Sequence, residues 1–556
     1  MQKTNIPRQA VQFTFLVLLV ASLILVVLNE LSWFFLLLLL LLLILLLWWL
    51  FGGKEITPPP AQYPPEEFYV QGQIIIRGPE AAVDAAVDAV PESVVTLNHD
   101  SENDRIRFSQ LSDEVRQCFG ECSGIDFDNF IIARYTFDDT EADVAAAIEL
   151  INNAVGRGSD VRAEPNWLSG HKWETSGLGW EPWEPIGSGD GGGHPAPAEF
   201  FTEQWAFGQI GLDDIEEHHC GANVRIGIFD TWPSNGEGEA VTAASLSWVN
   251  RPSPLNIGGV NAGYLLPEEK AGEPNLSSHG LFTAGLAQAV APEAELQIYR
   301  VLNKNNKGDL FSLIQAIFHF IEENAPLIAG EGRYGAVINL SLGIRVPPDD
   351  AKMNLPLEVQ ALRDILRAAR CAGIVVVAAS GNSSADKPTP EPADLPANWS
   401  EIIGVASSNK GDGRSCFSNR GDLAAPGGDG GPKEGSDSVC LPHNDACSDP
   451  ECGYAVIGPV LQNGDYPQGY AFWSGTSFST PMVAGLAACV IAKGLGQLTP
   501  DQVRRIIECG AAAGDPALGK GVINVAKTLD DFWDCIAQLG IGIERPEYEQ
   551  VEQMAA

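Results

Sequence analysis

Short, continuous apolar runs recur through the second half of the chain: Val224 to Phe229 (VRIGIF), Leu296 to Val301 (LQIYRV), Val337 to Leu340 (VINL), Ile374 to Ala379 (IVVVAA) and Ile402 to Ala406 (IIGVA). Stretches with helical periodicity separate them. Strands that are apolar without alternation must be buried on both faces, and a parallel sheet covered by helices on each side provides that environment. The expected fold class from about residue 199 is therefore α/β. In open parallel sheets, chemistry gathers beyond the carboxyl ends of the strands, so residues that end strands and open helices are the ones to inspect.

The N-terminal half is laid out in blocks. Val11 to Leu28 and Trp33 to Phe51 are uncharged runs of 18 and 19 residues. Each is about the length that crosses a hydrocarbon core of roughly 30 Å. Glu30 between them is costly in hydrocarbon, which favours two crossings over one long bent helix. A cleaved signal peptide has an apolar region of only about 7 to 15 residues followed by a small-residue cleavage site, and neither condition is met. Residues 1–55 are thus expected as a transmembrane hairpin (11–28 and 33–51), with the lipid bilayer a partner through residues 11–51. Trp33, Trp48 and Trp49 suit the headgroup zone. Lys3, Arg8 and Lys54 flank the hairpin and place the following chain on the cytoplasmic side by the positive-inside rule. Residues 56–67 (TPPPAQYPPEE from Thr57) form a stiff spacer. Residues 68–167 mix strand patterns with an amphipathic helix at Glu141 to Val155, whose apolar face holds Val144, Ile148, Ile151 and Val155, and read as a small α+β domain. The Gly-, Pro- and Trp-rich stretch 168–198 reads as a linker, 199–540 as the α/β domain with an insertion at 427–470, and 541–556 as an acidic tail.

Composition excludes some functions. Asp plus Glu total 72 against 34 for Lys plus Arg, a formal charge of -38 that repels a phosphate backbone, so nucleic acid is not an expected partner. Eleven cysteines is too sparse for a disulfide-framework protein, although individual bridges are compatible. Cys440, Cys447 and Cys452 in the insertion fit no zinc spacing and read as free or bridged thiols.

Asp230 follows a strand directly, His279 opens a helix-compatible run, and Ser477 stands at the start of an apolar helix. A serine hydroxyl is a poor nucleophile near neutral pH and needs a base within hydrogen-bond reach and an acid behind that base. Asp, His and Ser are those three parts. Taken singly they are ordinary turn, core and cap residues; the strings around them carry the weight.

Those strings resemble the subtilisin-like serine protease family over about Phe201 to Ala526. Gly475 to Gly485 (GTSFSTPMVAG) is similar to the family's nucleophile motif, Ala379 to Asn382 (ASGN) to its oxyanion segment, and Asn339 to Gly343 (NLSLG) to its substrate strand. Phe417 to Gly427 and Gly521 to Val525 are further matches. The resemblance implies Asp230, His279 and Ser477 as catalytic triad, Asn382 as an oxyanion donor, and Ser341, Leu342 and Gly343 as a free edge on which protein or peptide substrate adds as a strand. It implies no cofactor for catalysis; structural calcium commonly supports such folds, and no ligand set for it can be assigned. Leu281 and Phe282 after Gly280, and Trp232 and Pro233 after Thr231, depart from the usual motifs. Residues 68–167 resemble the family's ferredoxin-like propeptide, ending in Ala163 to Trp167 (AEPNW), with Gln204 and Trp205 similar to the start of a mature enzyme.

The implied protein is a membrane-anchored serine endopeptidase made as a self-inhibited precursor (a zymogen), cut between about Trp167 and Phe200 and released afterwards. The competing expectation is a catalytically silent, membrane-tethered peptide-binding module on the same fold, which a fluorophosphonate probe distinguishes because only an activated serine reacts. The related sedolisin class has a carboxylate where His279 stands and is disfavoured.

Overall fold

The computed structural model describes residues 68–91, 96–98, 104–123, 129–137, 144–156, 159–170, 194–215, 219–235, 239–250, 253–269, 275–329, 332, 334–344, 359–385, 387, 389–429 and 449–543. The apolar runs 11–28 and 33–51, the spacer, most of the 168–198 stretch and residues 544–556 lie outside the described residues. Among the described residues one helix, Thr476–Lys493, is apolar and long enough to cross a membrane, and 89% of it is buried inside the protein.

The first block is built on three long antiparallel strands, β1 (Tyr69–Pro79), β2 (Phe130–Phe137) and β3 (Arg162–Gly170), with β1 in the middle. Helices α1 (Glu80–Asp88), α2 (Asp113–Ser123) and α3 (Val144–Val155) complete it. Helix α3 buries Val144, Ala147, Ile148 and Ile151, the stripe its periodicity predicts. In β1, Ile74, Ile75 and Ile76 are all fully buried, so this strand is covered on both faces. Part of that cover comes from the second block.

The second block carries a seven-stranded sheet, parallel at every pairing. Its elements in chain order are β4 (Val224–Asp230), β5 (Ile257–Asn261), α4 (His279–Val290), β6 (Glu295–Arg300), the short β7 (Lys307–Asp309), α5 (Leu310–Ala329), β8 (Gly335–Leu340), the short β9 (Gly343–Ile344), α6 (Gln360–Cys371), β10 (Ile374–Ala379), β11 (Ile403–Ser408), β12 (Leu423–Pro426) and α7 (Thr476–Lys493). The sheet order is β12-β11-β10-β8-β4-β6-β5, with β7 and β9 outside it. Four of the five apolar runs form strands at or within a residue or two of the expected positions, and the fifth, Val337 to Leu340, gains two residues at its start. Part of the expected insertion is regular: Val456–Pro459 pairs with Tyr470–Trp473.

The two blocks share one hydrophobic cluster, which joins Ile74, Phe108 and Ile132 to Phe311, Ile314, Leu362 and Ile365. Strand β3 organises the polar part of this interface. On alternate residues it presents Glu164, whose carboxylate accepts from the backbone N–H of Gln360 at 2.8 Å and of Ala361 at 2.9 Å, and Asn166, whose Oδ1 accepts from Phe311 N–H at 3.0 Å. Each thus satisfies donors at the start of a helix, α6 or α5, that the helix itself leaves unpaired. Arg77 of β1 pairs with buried Asp364 of α6 at 2.8 Å. A disulfide joins Cys118 of α2 to Cys371 at the end of α6 across a Cα separation of 5.6 Å. Two more bridges, Cys220–Cys489 and Cys509–Cys535, lie within the second block.

The expectation that 168–198 is a linker needs correcting at its start. Strand β3 runs on through Leu168, Ser169 and Gly170, because β7 and β9 both pair with them and supply ladder partners that a free linker lacks.

Burial pushes the Glu164 carboxyl up to about 8, against the pull of its two amide donors and of Arg77, and raises Asp364 for the same reason. A carboxyl raised in the folded chain holds its proton longer there than when unfolded, so its contribution is full below about 4.5 and is lost as pH rises through about 8. The Ser477→Ala chain should therefore lose stability over that window by up to roughly 1.4 kcal/mol per pH unit. Glu164→Ala in the same background should flatten that slope in urea unfolding. Equal slopes would mean that Glu164 titrates alike in both states.

Candidate active site

Strand β4 ends on Asp230 and α4 begins on His279, and the two side chains meet. His279 Nδ1 lies 2.7 Å from Asp230 Oδ1 and 2.9 Å from Oδ2, with Asp230 fully buried and His279 1% exposed. Thr231 fixes the approach. Its hydroxyl donates to the carbonyls of Leu276 and Ser277 at 3.0 and 3.1 Å and accepts from Gly280 N–H at 3.1 Å, tying the loop before His279 to the end of β4. Gly280 is required at this crossing, since a Cβ there would collide with the Thr231 carbonyl oxygen. The unusual neighbours Trp232, Leu281 and Phe282 are buried. Phe282 packs on Phe478 with ring centroids 4.4 Å apart, while Phe478 and Trp473 lie against the His279 ring at 5.2 and 5.4 Å. The imidazole is thus clamped by aromatic rings as well as by its carboxylate.

Ser477 is the second residue of α7 and is 1% exposed. Pro481, four residues on, has no N–H to give to the Ser477 carbonyl. The hydroxyl of Ser341 donates to that carbonyl instead, at 2.7 Å, and the Ser477 hydroxyl donates to the Ser341 carbonyl at 3.4 Å. A helix-breaking residue in the first turn therefore ties the nucleophile candidate to the segment after β8.

Asn382 follows β10. Its Oδ1 accepts from the backbone N–H and the hydroxyl of Thr476, both at 3.0 Å, which fixes the carboxamide at the start of α7 and leaves Nδ2 on the side of Gly475. Two N–H donors, Asn382 Nδ2 and the Ser477 backbone, can serve an oxyanion at the positive end of a helix.

The edge expected to be free at Ser341, Leu342 and Gly343 is occupied. Gly343 is paired antiparallel with Gly170, and Ile344 with Ser169. On the other side Lys307, Gly308 and Asp309 pair with Gly170, Ser169 and Leu168. The end of β3 is the middle strand of three, so the groove is filled by the chain's own residues.

Sequence reasoning missed the β7 wall, Lys307–Asp309, and the capping roles of Glu164 and Asn166. The signal available for the latter was their spacing of two in Ala163 to Trp167, which puts both on one face of a strand. Cys416 and Cys452 are disulfide-bonded, and Cys440 and Cys447 lie outside the described residues. Among the described residues no three His, Cys, Asp or Glu side chains gather as a metal-ion site.

Residues 259–524, just under half of the chain, match the family model described as Subtilase family. That stretch holds His279, Ser341, Asn382 and Ser477; Asp230 precedes it. The chain is 25% identical over 320 residues to the minor extracellular protease Epr of Bacillus subtilis, covering 55% of this chain and 41% of that protein. It is 28% identical over 322 residues to subtilisin E of the same organism, covering 55% of this chain and 66% of the relative. To subtilisin of Bacillus pumilus it is 27% identical over 322 residues, covering 55% of this chain and 91% of the relative. The match thus spans under two thirds of the first two relatives' own lengths. A solved lanthipeptide protease aligns over 60% of this chain and 93% of its own with 20% identity and a TM-score of 0.42. This part of the chain is thus similar to the subtilase family by both the family model and the relatives.

Asn382→Ala should lower kcat for peptide hydrolysis by ~100- to 1000-fold with KM little changed, a range carried over from loss of the corresponding kind of donor in subtilisin. A raised KM with unchanged kcat would make Asn382 a ground-state binding residue.

Proposed function

We propose that this chain is a serine endopeptidase of the subtilisin kind, made as a self-inhibited precursor and held at a membrane by residues 11–51. The buried Asp230–His279 pair carries the catalytic reading: a carboxylate against Nδ1 fixes the imidazole tautomer that leaves Nε2 able to take a proton. Ser477 Oγ attacks the peptide carbonyl carbon while His279 accepts its proton. The new C–O bond puts negative charge on the carbonyl oxygen, which Asn382 Nδ2 and the Ser477 N–H receive. The C–N bond then breaks, His279 returns the proton to the leaving amine, and water repeats the sequence on the acyl-enzyme.

Strand β3 supports the precursor reading. It runs from the capped helices into the groove between β7 and β9 as an extended substrate does. Residues 68–170 therefore act as the inhibitor, and self-cleavage falls shortly after Gly170. The bridge between Cys118 and Cys371 keeps the two fragments covalently joined after the cut, so cleavage alone does not free the enzyme. Bridges of this kind persist in oxidising compartments, which favours the non-cytoplasmic side for the second block over the cytoplasmic one that Lys3, Arg8 and Lys54 suggest.

Wild-type protein should run as one band on a non-reducing denaturing gel and as two after reduction, whereas Ser477→Ala should stay a single full-length, membrane-bound and inactive chain under both conditions. An uncut wild-type chain with full peptidase activity would make residues 68–170 a permanent adaptor. A reporter-fusion map should place the position after Lys54 outside the cytoplasm; a cytoplasmic signal overturns that side assignment.

A further inference from the structure

Peptidases choose substrates by the pocket that takes the side chain just before the scissile bond, and here the walls of that pocket derive from strand register. Gly343 pairs with Gly170 and Ile344 with Ser169, so β3 advances toward Ser341 as its residue numbers rise. The Ser341 carbonyl is the group that the Ser477 hydroxyl faces at 3.4 Å. A substrate strand in this groove reaches the nucleophile about two residues past the one paired with Gly343. The segments 341–343 and 380–382 follow the neighbouring parallel strands β8 and β10 and so flank that position from two sides.

One carboxylate stands between those two segments. Asp394 is anchored by its own N–H, which donates to the Ser380 carbonyl at 2.8 Å, and Ile344 N–H donates to the neighbouring Leu395 carbonyl at 2.9 Å. The Asp394 Cβ lies 3.7 Å from where a side chain on Gly343 would begin. Its carboxylate fills the space that a side chain on Gly381 would need, and Gly381, at φ +100°, sits in backbone territory that side chains avoid. The two facing segments therefore have glycine backbone where side chains would close the gap, and an anionic group is set between them.

We propose that Asp394 makes this enzyme selective for lysine or arginine immediately before the cleaved bond, and that its first such substrate is its own Lys172. This rests on the serine endopeptidase reading above. A long methylene stem passes over glycine backbone without a steric penalty, and its charged end finds a half-buried carboxylate, with which an ion pair orients and discriminates. The chain's sequence agrees: two residues past Gly170 stands a lysine, Lys172, followed by Trp173.

The test uses the self-processed protein after reduction of the Cys118–Cys371 bridge, so that the inhibitor fragment can leave the groove, and a peptide series differing only in that one residue: Lys, Arg, Leu, Phe and Glu. Wild type should show a kcat/KM for Lys and Arg roughly a hundred-fold or more above Leu and Phe. Asp394→Asn should collapse that ratio to within several-fold of one, and Asp394→Glu should restore much of it, which a merely structural role would not produce. The N-terminus of the second fragment should read Trp173. Preference for Leu or Phe in wild type, an unchanged ratio in Asp394→Asn, or a different first residue overturns the proposal. Fluorophosphonate labelling of the same preparation separates the two levels. A labelled enzyme without basic preference sinks the specificity alone, while an unlabelled chain that cleaves none of the peptides sinks the endopeptidase reading.

Discussion

Everything in the second block depends on helix Thr476–Lys493 being apolar on all sides. Every residue from Thr476 to Ile491 is buried, so this helix has no solvent face there and must run through the core, against α4 and strands β4, β8, β10, β11 and β12. Its first turn consequently lies at the carboxyl edge of the sheet, where β4, β8 and β10 also end. Ser477, Asp230, Ser341 and Asn382 are brought together because they occupy the ends of elements packed on one helix. Placing a nucleophile on rigid, fully packed backbone keeps its geometry fixed, but it leaves polar atoms buried that must find partners.

How those partners are found explains several residues that look incidental. Pro481 removes an N–H, and the carbonyl it leaves behind is taken by the Ser341 hydroxyl. Thr476 would otherwise present unpaired donors at the helix start, and Asn382 Oδ1 takes both. Thr231 does the same for the loop before His279. Each is a local hydrogen-bonding solution to a helix or strand terminus, and together they hold the reacting groups in register with one another.

The first block is attached by the same chemistry used from outside. Helices α5 and α6 start at the interface with unpaired N–H groups, and β3 brings Asn166 and Glu164 to them. Burying Glu164 costs desolvation, which is why its carboxyl holds a proton to higher pH. That polar contact is reinforced by the shared apolar cluster, which takes in Ala163 and Trp167 of β3, and by the Cys118–Cys371 bridge between α2 and α6.

Much of this was legible in the residues alone. Apolar runs without alternation specify buried parallel strands, an all-apolar helix specifies a core, and the strings around Asp230, His279, Asn382 and Ser477 mark the ends where chemistry collects, because these are local properties of sequence period and residue type. The limits of β3 were not legible. Leu168 to Gly170 look like linker because glycine and serine form no apolar pattern, and only the pairing with β7 and β9, residues more than a hundred positions away, makes them a strand. Nor could spacing pair Cys118 with Cys371, which are 253 residues apart, or set Asp394 beside Gly381 and Gly343. Periodicity reports which face of an element is buried; what that face meets is decided by how the elements pack, and in this protein that packing decided the occupant of the groove and the charge beside it.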